Sequence, residues 1–145
     1  MLKVPNAKVI SAPGAIFATA ITGADIDLKN AQTVTFIITS GTGTAATPKL
    51  KIMAKEGASG TPVAVDFILQ EVGNDTQTVG GATSGQEITI GGAAAADLKA
   101  YRATITADML TGTGYDTVYC TVTAVSSSTV PGSIIAVTDK YRYSA

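Results

Sequence analysis

The chain predicts an all-β fold, an antiparallel β-sandwich or jelly roll. First, short Thr/Val/Ile-rich runs alternate apolar and polar side chains with a period of two. Second, clusters of Gly, Ala, Ser, Thr and Pro separate those runs at short intervals. Third, one segment alone has the composition of a helix. No shift in composition divides the 145 residues, and a chain of that length buries about 68–70% of its unfolded surface without metal or disulfide. The expected organisation is an extended N-terminal arm over 1–13 and a single sandwich domain over 14–145.

The elements follow in chain order. Met1–Pro13 holds Pro5 and Pro13 and alternates little, so it reads as an arm that gains order against a neighbour. Its apolar groups Leu2, Val4, Val9 and Ile10 are candidate interface residues, and the fold is expected to survive loss of 1–12. Asn6, Lys8, Ser11 and Pro13 interrupt the apolar core a signal peptide needs. In Thr33–Thr39, Val34, Phe36 and Ile38 share one face and the threonines the other. In Lys49–Lys55, Leu50, Ile52 and Ala54 turn inward and three lysines outward. The Gly/Thr-rich connection 40–48 joins these two runs, which are expected to pair as a hairpin with one wet face.

Val63, Val65, Phe67 and Leu69 bury the odd-numbered side of the next strand, leaving Asp66 outside. Gly73–Gly85 is a polar loop with room for a short hairpin, and Glu87–Ile90 a short strand closed by Gly91 and Gly92. Ala93–Lys99 is the helical candidate, two turns at most, because alternation resumes at Tyr101. Tyr101, Ala103 and Ile105 then share a face, as do Val118, Cys120, Val122 and Ala124. Ser133–Val137 is the last strand, and the tail that follows extends it or offers a contact surface. Tyr141 and Tyr143 flank Arg142 there, residue types that anchor interfaces.

The same composition argues against an enzyme. With no His, neither a Ser-His-Asp triad nor a Cys-His pair can be assembled, no motif supports a Ser–Lys variant, and Cys120, between Val118 and Val122, reads as a buried thiol. Gly41-Thr42-Gly43-Thr44 lacks the Lys-Ser/Thr of a phosphate loop. Asp25, Asp27 and Asp75 lack the ligand spacing of a calcium loop, so no metal and no cofactor is expected. A net charge of -1 with scattered Lys and Arg gives no footprint for nucleic acid. No apolar run reaches the ~20 residues of a membrane span. The mean hydropathy of +0.30 instead suggests apolar surface hidden in an assembly.

The segment Ile21–Phe36, followed by Thr47-Pro48-Lys49-Leu50-Lys51-Ile52 and later by Tyr101-Arg102-Ala103-Thr104-Ile105-Thr106, resembles a group of small tailed-phage virion proteins. The resemblance spans about two-thirds of the chain and departs from it in the longer Gly73–Gly92 region and the Tyr-rich tail. It implies a capsid decoration or cement protein, made in the host cytoplasm and placed on the capsid surface. Its partners would be the major capsid protein or other virion proteins, and its unit a homo-oligomer, a dimer or trimer, that touches neither nucleic acid nor membrane. A neck, tail or fibre component and a secreted or fimbrial adhesion module share the same composition.

Overall fold

The computed structural model describes residues 6–14, 16–29, 31–41, 48–72, 77–80, 88–89, 99–124 and 129–139; at residues 16, 77–80, 88–89 and 99 it describes the backbone. Along the chain the strands are β1 (Asn6–Gly14), β2 (Ile21–Thr22), β3 (Ile26–Asp27), β4 (Thr33–Ser40), β5 (Lys49–Lys55), β6 (Val63–Val65), β7 (Phe67–Glu71), β8 (Gln77–Gly80), β9 (Ile88–Thr89), β10 (Lys99–Thr106), β11 (Thr117–Val122) and β12 (Gly132–Asp139). Every pairing among them is antiparallel. The larger sheet runs β1-β12-β4-β10-β7-β8; the smaller runs β2-β11-β5-β6, with β3 also on β11 and β9 also on β5. The molecule is the expected all-β sandwich.

Alternation located the inner faces. Val34, Phe36 and Ile38 of β4, Leu50, Ile52 and Ala54 of β5, and Ala103 and Ile105 of β10 are fully buried, as are Val118 and Cys120 of β11. Ala124, expected beside them, is exposed beyond the end of β11. Phe36 lies opposite Ala136 on one neighbouring strand and Ala103 on the other, so two small side chains flank the largest one in that row. Phe17, 1% exposed, enters the core from a 3-10 turn over Ile16–Ala18, where no strand periodicity announces it.

Pairing partners differ from the sequence-based expectation in three places. β4 and β5 are not a hairpin: β4 lies between β12 and β10 while β5 lies in the other sheet between β11 and β6. The chain therefore passes from one layer to the other between Ser40 and Lys49, layers that pack about 10 Å apart. The run Val63–Leu69 keeps its odd side buried but is two strands; it changes sheet at Asp66, which is half-buried. Both sheets line the same core, so one set of side chains serves both.

The third difference is at the N-terminus. From Asn6 the segment expected to be an arm is an edge strand of the larger sheet, paired with β12 from Asn6↔Thr138 to Gly14↔Gly132. Its register slips between Val9 and Ser11 and again between Ser11 and Gly14, which removes the alternation a regular strand would show. Residues 6–13 are thus part of the sandwich. Hairpins do occur at β5–β6 and at β7–β8, the second bringing Gln77–Gly80 of the polar 73–85 region onto β7. The helical candidate falls at residues 93–98, outside the described residues, and Lys99 belongs to β10.

The β5–β6 turn supplies a test of local backbone geometry. Gly57 sits at φ +59 with open space where a Cβ would be. A Cβ on Gly60 would instead overlap the Glu56 carbonyl oxygen and lie 2.7 Å from the Glu56 nitrogen. That collision is with backbone, and the Gly60 N–H donates to the same carbonyl at 3.0 Å. Gly60→Ala is expected to cost about 2–3 kcal/mol in urea unfolding, against about 1 kcal/mol for Gly57→Ala. The reverse order would show that this turn adopts another conformation.

Candidate interaction surfaces

The two outer faces of the sandwich differ in chemistry. On the larger sheet the outward positions are Ala7 and Val9 of β1, Ile135 and Val137 of β12, Thr35 and Ile37 of β4, Arg102 and Thr104 of β10, and Ile68 and Gln70 of β7. Val9 is 63% exposed, while Ile37, Ile68, Ile135 and Val137 are half-buried. β12 therefore carries apolar side chains on both faces, a pattern more usual for strands covered on both sides, and Ile37 of β4 stands beside it among outward threonines. Hydroxyl pairs stitch this face across strands, Thr35 Oγ1 to Thr104 Oγ1 at 3.3 Å and Thr39 Oγ1 to Ser133 Oγ at 2.8 Å.

Charge on that face is sparse. Arg102 is exposed near its middle, its guanidinium donating to Gln70 Oε1 at 2.8 Å, and it borders a depression of about 210 Å³ with Thr35, Ile68 and Thr104. Asp139 stands at the rim, opposite Thr33 at the end of β12. A shallower hollow of about 400 Å³ lies at the far end, between Pro13, Gly41 and Pro131. There the Gly41 N–H donates to the Pro131 carbonyl at 2.7 Å.

The smaller sheet presents a charged face. Lys49, Lys51 and Lys55 project from β5 on either side of Met53. Lys55 Nζ reaches Asp25 at 2.7 Å and the Ala58 carbonyl at 2.9 Å, and lies 5.5 Å from the Tyr119 ring centroid. Asp116 gathers three segments: its carboxylate accepts from Gly57 N–H at 2.7 Å and Thr117 Oγ1–H at 2.9 Å, and pairs with Lys29 Nζ at 3.2 Å. Those hydrogen bonds, the Gly57 one foremost, hold the Asp116 pKa below the usual carboxylate range. Their stabilisation is present above that range and lost as pH falls through the lowered value. The aspartates considered for calcium are engaged within the chain, Asp25 on Lys55 and Asp27 accepting from the Lys29 N–H at 2.7 Å. Asp75 lies outside the described residues. Among the described residues there is no group of three or more His, Cys, Asp or Glu placed to hold a metal.

Of the residues singled out from the sequence as an interface, two are described. Val9 faces out from β1, whereas Ile10 turns in and packs against the core, close to Gly23 and Cys120. Leu2, Val4, Tyr141, Arg142 and Tyr143 lie outside the described residues. The Asn6↔Thr138 pairing nevertheless brings the end of β1 that follows Leu2 and Val4 beside the end of β12 that precedes Tyr141. Sequence reasoning missed Ile37, Ile68, Ile135 and Val137. Their signal was there as unbroken apolar runs, Phe36-Ile37-Ile38, Phe67-Ile68-Leu69 and Ile134-Ile135-Ala136-Val137.

Cys120 is fully buried and unpaired, and desolvation pushes its thiol up to about 12. The native protein is expected to leave a thiol reagent unreacted at pH 8 and to consume one equivalent once unfolded. Full labelling without unfolding would place Cys120 at the surface.

No family model matches the chain, and no curated protein matches it. Among solved structures it is similar to the crystal structure of the SPBc2 prophage-derived protein YomS, with a TM-score of 0.51 and 14% identity, covering 94% of this chain and 96% of that one. At that identity the likeness is one of architecture. The chain is an all-β sandwich that shares its fold with a prophage-derived protein along nearly the whole of both.

Proposed function

We propose that the protein is a non-enzymatic component of a tailed-phage virion, a decoration or cement protein bound to the outside of the major capsid shell. The observation that carries this is the end-to-end fold likeness to a prophage-derived protein. It is supported by the resemblance of Ile21–Phe36, Thr47–Ile52 and Tyr101–Thr106 to small virion proteins. The surfaces suit the role: a sandwich whose larger outer face is stitched by hydroxyl pairs offers broad faces for other proteins. Attachment is assigned to the corner where β1 and β12 meet, flanked in sequence by Leu2, Val4 and Tyr141-Arg142-Tyr143. A subunit bridging capsomers adds an interface of about 1,600 Å² to contacts strained by packaged DNA, and repetition over the lattice raises the barrier to rupture.

Copy number tests the proposal. Virions purified from a lysate and quantified by mass spectrometry should carry this chain at a stoichiometry comparable to the major capsid protein. A handful of copies per particle would assign it to the neck, tail or fibre. Absence from particles would overturn a virion role.

A further inference from the structure

We infer that the outer face of the larger sheet is a self-association surface, on which a second copy of this chain packs face to face about a two-fold axis. The inference stands whether or not a capsid shell is the final partner.

Charge selects the occupant. A two-fold interface sets each residue against its counterpart's neighbour, so a face with one sign of charge opposes itself. The larger sheet's outer face carries two described charges of opposite sign, Arg102 near the middle and Asp139 at the rim. Arg102 is level with Ile37 of β4 and Asp139 with Thr33, on the strands to either side. Thr35 therefore lies midway between them. A two-fold axis lying in the interface over Thr35, perpendicular to the line from Arg102 to Asp139, brings Arg102 of each copy opposite the partner's Asp139, with Ile37, Ile135, Val137 and Val9 as the apolar contact.

Size agrees with this. Five strands at about 4.8 Å spacing and eight residues at about 3.3 Å give a footprint of roughly 20 by 26 Å, or about 500 Å² per copy. Two copies bury about 1,000 Å², the lower bound for a specific interface. A net charge of -1 leaves little long-range repulsion to oppose the approach.

Sedimentation equilibrium of the full chain across a concentration series reads the result. The wild type should show a reversible monomer–dimer equilibrium. Arg102→Glu and Asp139→Arg, each alone, should weaken it by at least about tenfold, since each sets two like-charge contacts in the dimer. An equimolar mixture of the two variants should recover wild-type association, because both contacts are then complementary; recovery also shows that both variants are folded. A monomer up to about 0.5 mM, a concentration that fails only for very weak pairing, overturns the inference. So does a trimer, a dimer indifferent to either reversal, or a mixture that does not recover.

Discussion

Phe36→Ala is expected to be the most destabilising single substitution in this chain, costing about 4–5 kcal/mol, with Phe67→Ala close behind at about 3–5 kcal/mol. The reason lies in the neighbours of Phe36. Ala103 and Ala136 stand level with it on the adjoining strands, and all three are fully buried. Truncation would leave a row of three alanines across the centre of the larger sheet, and backbones held about 4.8 Å apart by ladder bonds cannot close over the gap. Phe67 stands level with Gly80 of β8, which likewise offers nothing to fill its place. Thr35→Ala, on the opposite face of β4, loses a 3.3 Å hydroxyl contact to Thr104 and should cost under about 1 kcal/mol. With a urea m-value of about 2 kcal/mol/M, the midpoint should fall by about 2 M for Phe36→Ala and by less than about 0.5 M for Thr35→Ala. A larger shift for Thr35→Ala would mean that β4 is out of register by one residue.

Deletion of residues 1–12 should lower the melting temperature by about 10 °C, corresponding to about 3 kcal/mol for a domain of this size. This reverses the expectation drawn from the sequence, which treated the segment as dispensable to the fold. β1 covers the edge of β12, and the Thr138 hydroxyl donates to the Asn6 carbonyl at 3.3 Å. Ile10 packs on the core beside Gly23 and Cys120. Burial of one Ile contributes about 1.5–3 kcal/mol, and each net ladder bond about 0.5–1.5 kcal/mol, against about 1–2 kcal/mol of ordering per residue. The deletion also bares β12, a strand apolar on both faces, and such an edge invites pairing with other chains. Light scattering should therefore rise on heating before the wild type melts, and Cys120 should react with a thiol reagent faster. A truncated protein that melts within about 2 °C of the wild type and stays monodisperse would return this segment to the status of an arm.

What was legible in the residues was which side faces the core. Lys49-Leu50-Lys51-Ile52 cannot be buried the other way round without placing ammonium groups in the interior, so its face is settled by solvation alone. Val63–Leu69 kept the right side inward even though it spans two sheets, because an inward side is defined by the core and not by the sheet. Pairing was not legible in the same way. Alternation in β4 and β5 carries no term that depends on the neighbouring strand, so their proximity in sequence suggested a hairpin that the layered topology replaces with a crossing. β1 was missed as a strand because bulges at Ile10 and beyond break its period, and Phe17 because a 3-10 turn has no face to repeat. The outer apolar residues Ile37, Ile135 and Val137 interrupt an otherwise clean alternation and read as imperfections of the strand. They are the part of the sequence that reports on a partner.

The position of β12 between β1 and β4 has a consequence for how the protein is made. During synthesis the first strand emerges with no neighbour to bond to. Residues 132–139 supply that neighbour, and they leave the ribosome on the order of 10 s later at ordinary elongation rates. Until then β4 can pair with β10 alone, and Val34, Phe36, Ile37 and Ile38 are bare along the edge that β12 will occupy. The larger sheet therefore closes after translation of the strands is finished, as a single late event joining segments 132 residues apart. Soluble yield from an expression host should depend more on temperature and chaperone supply during that interval than on the stability of the finished sandwich.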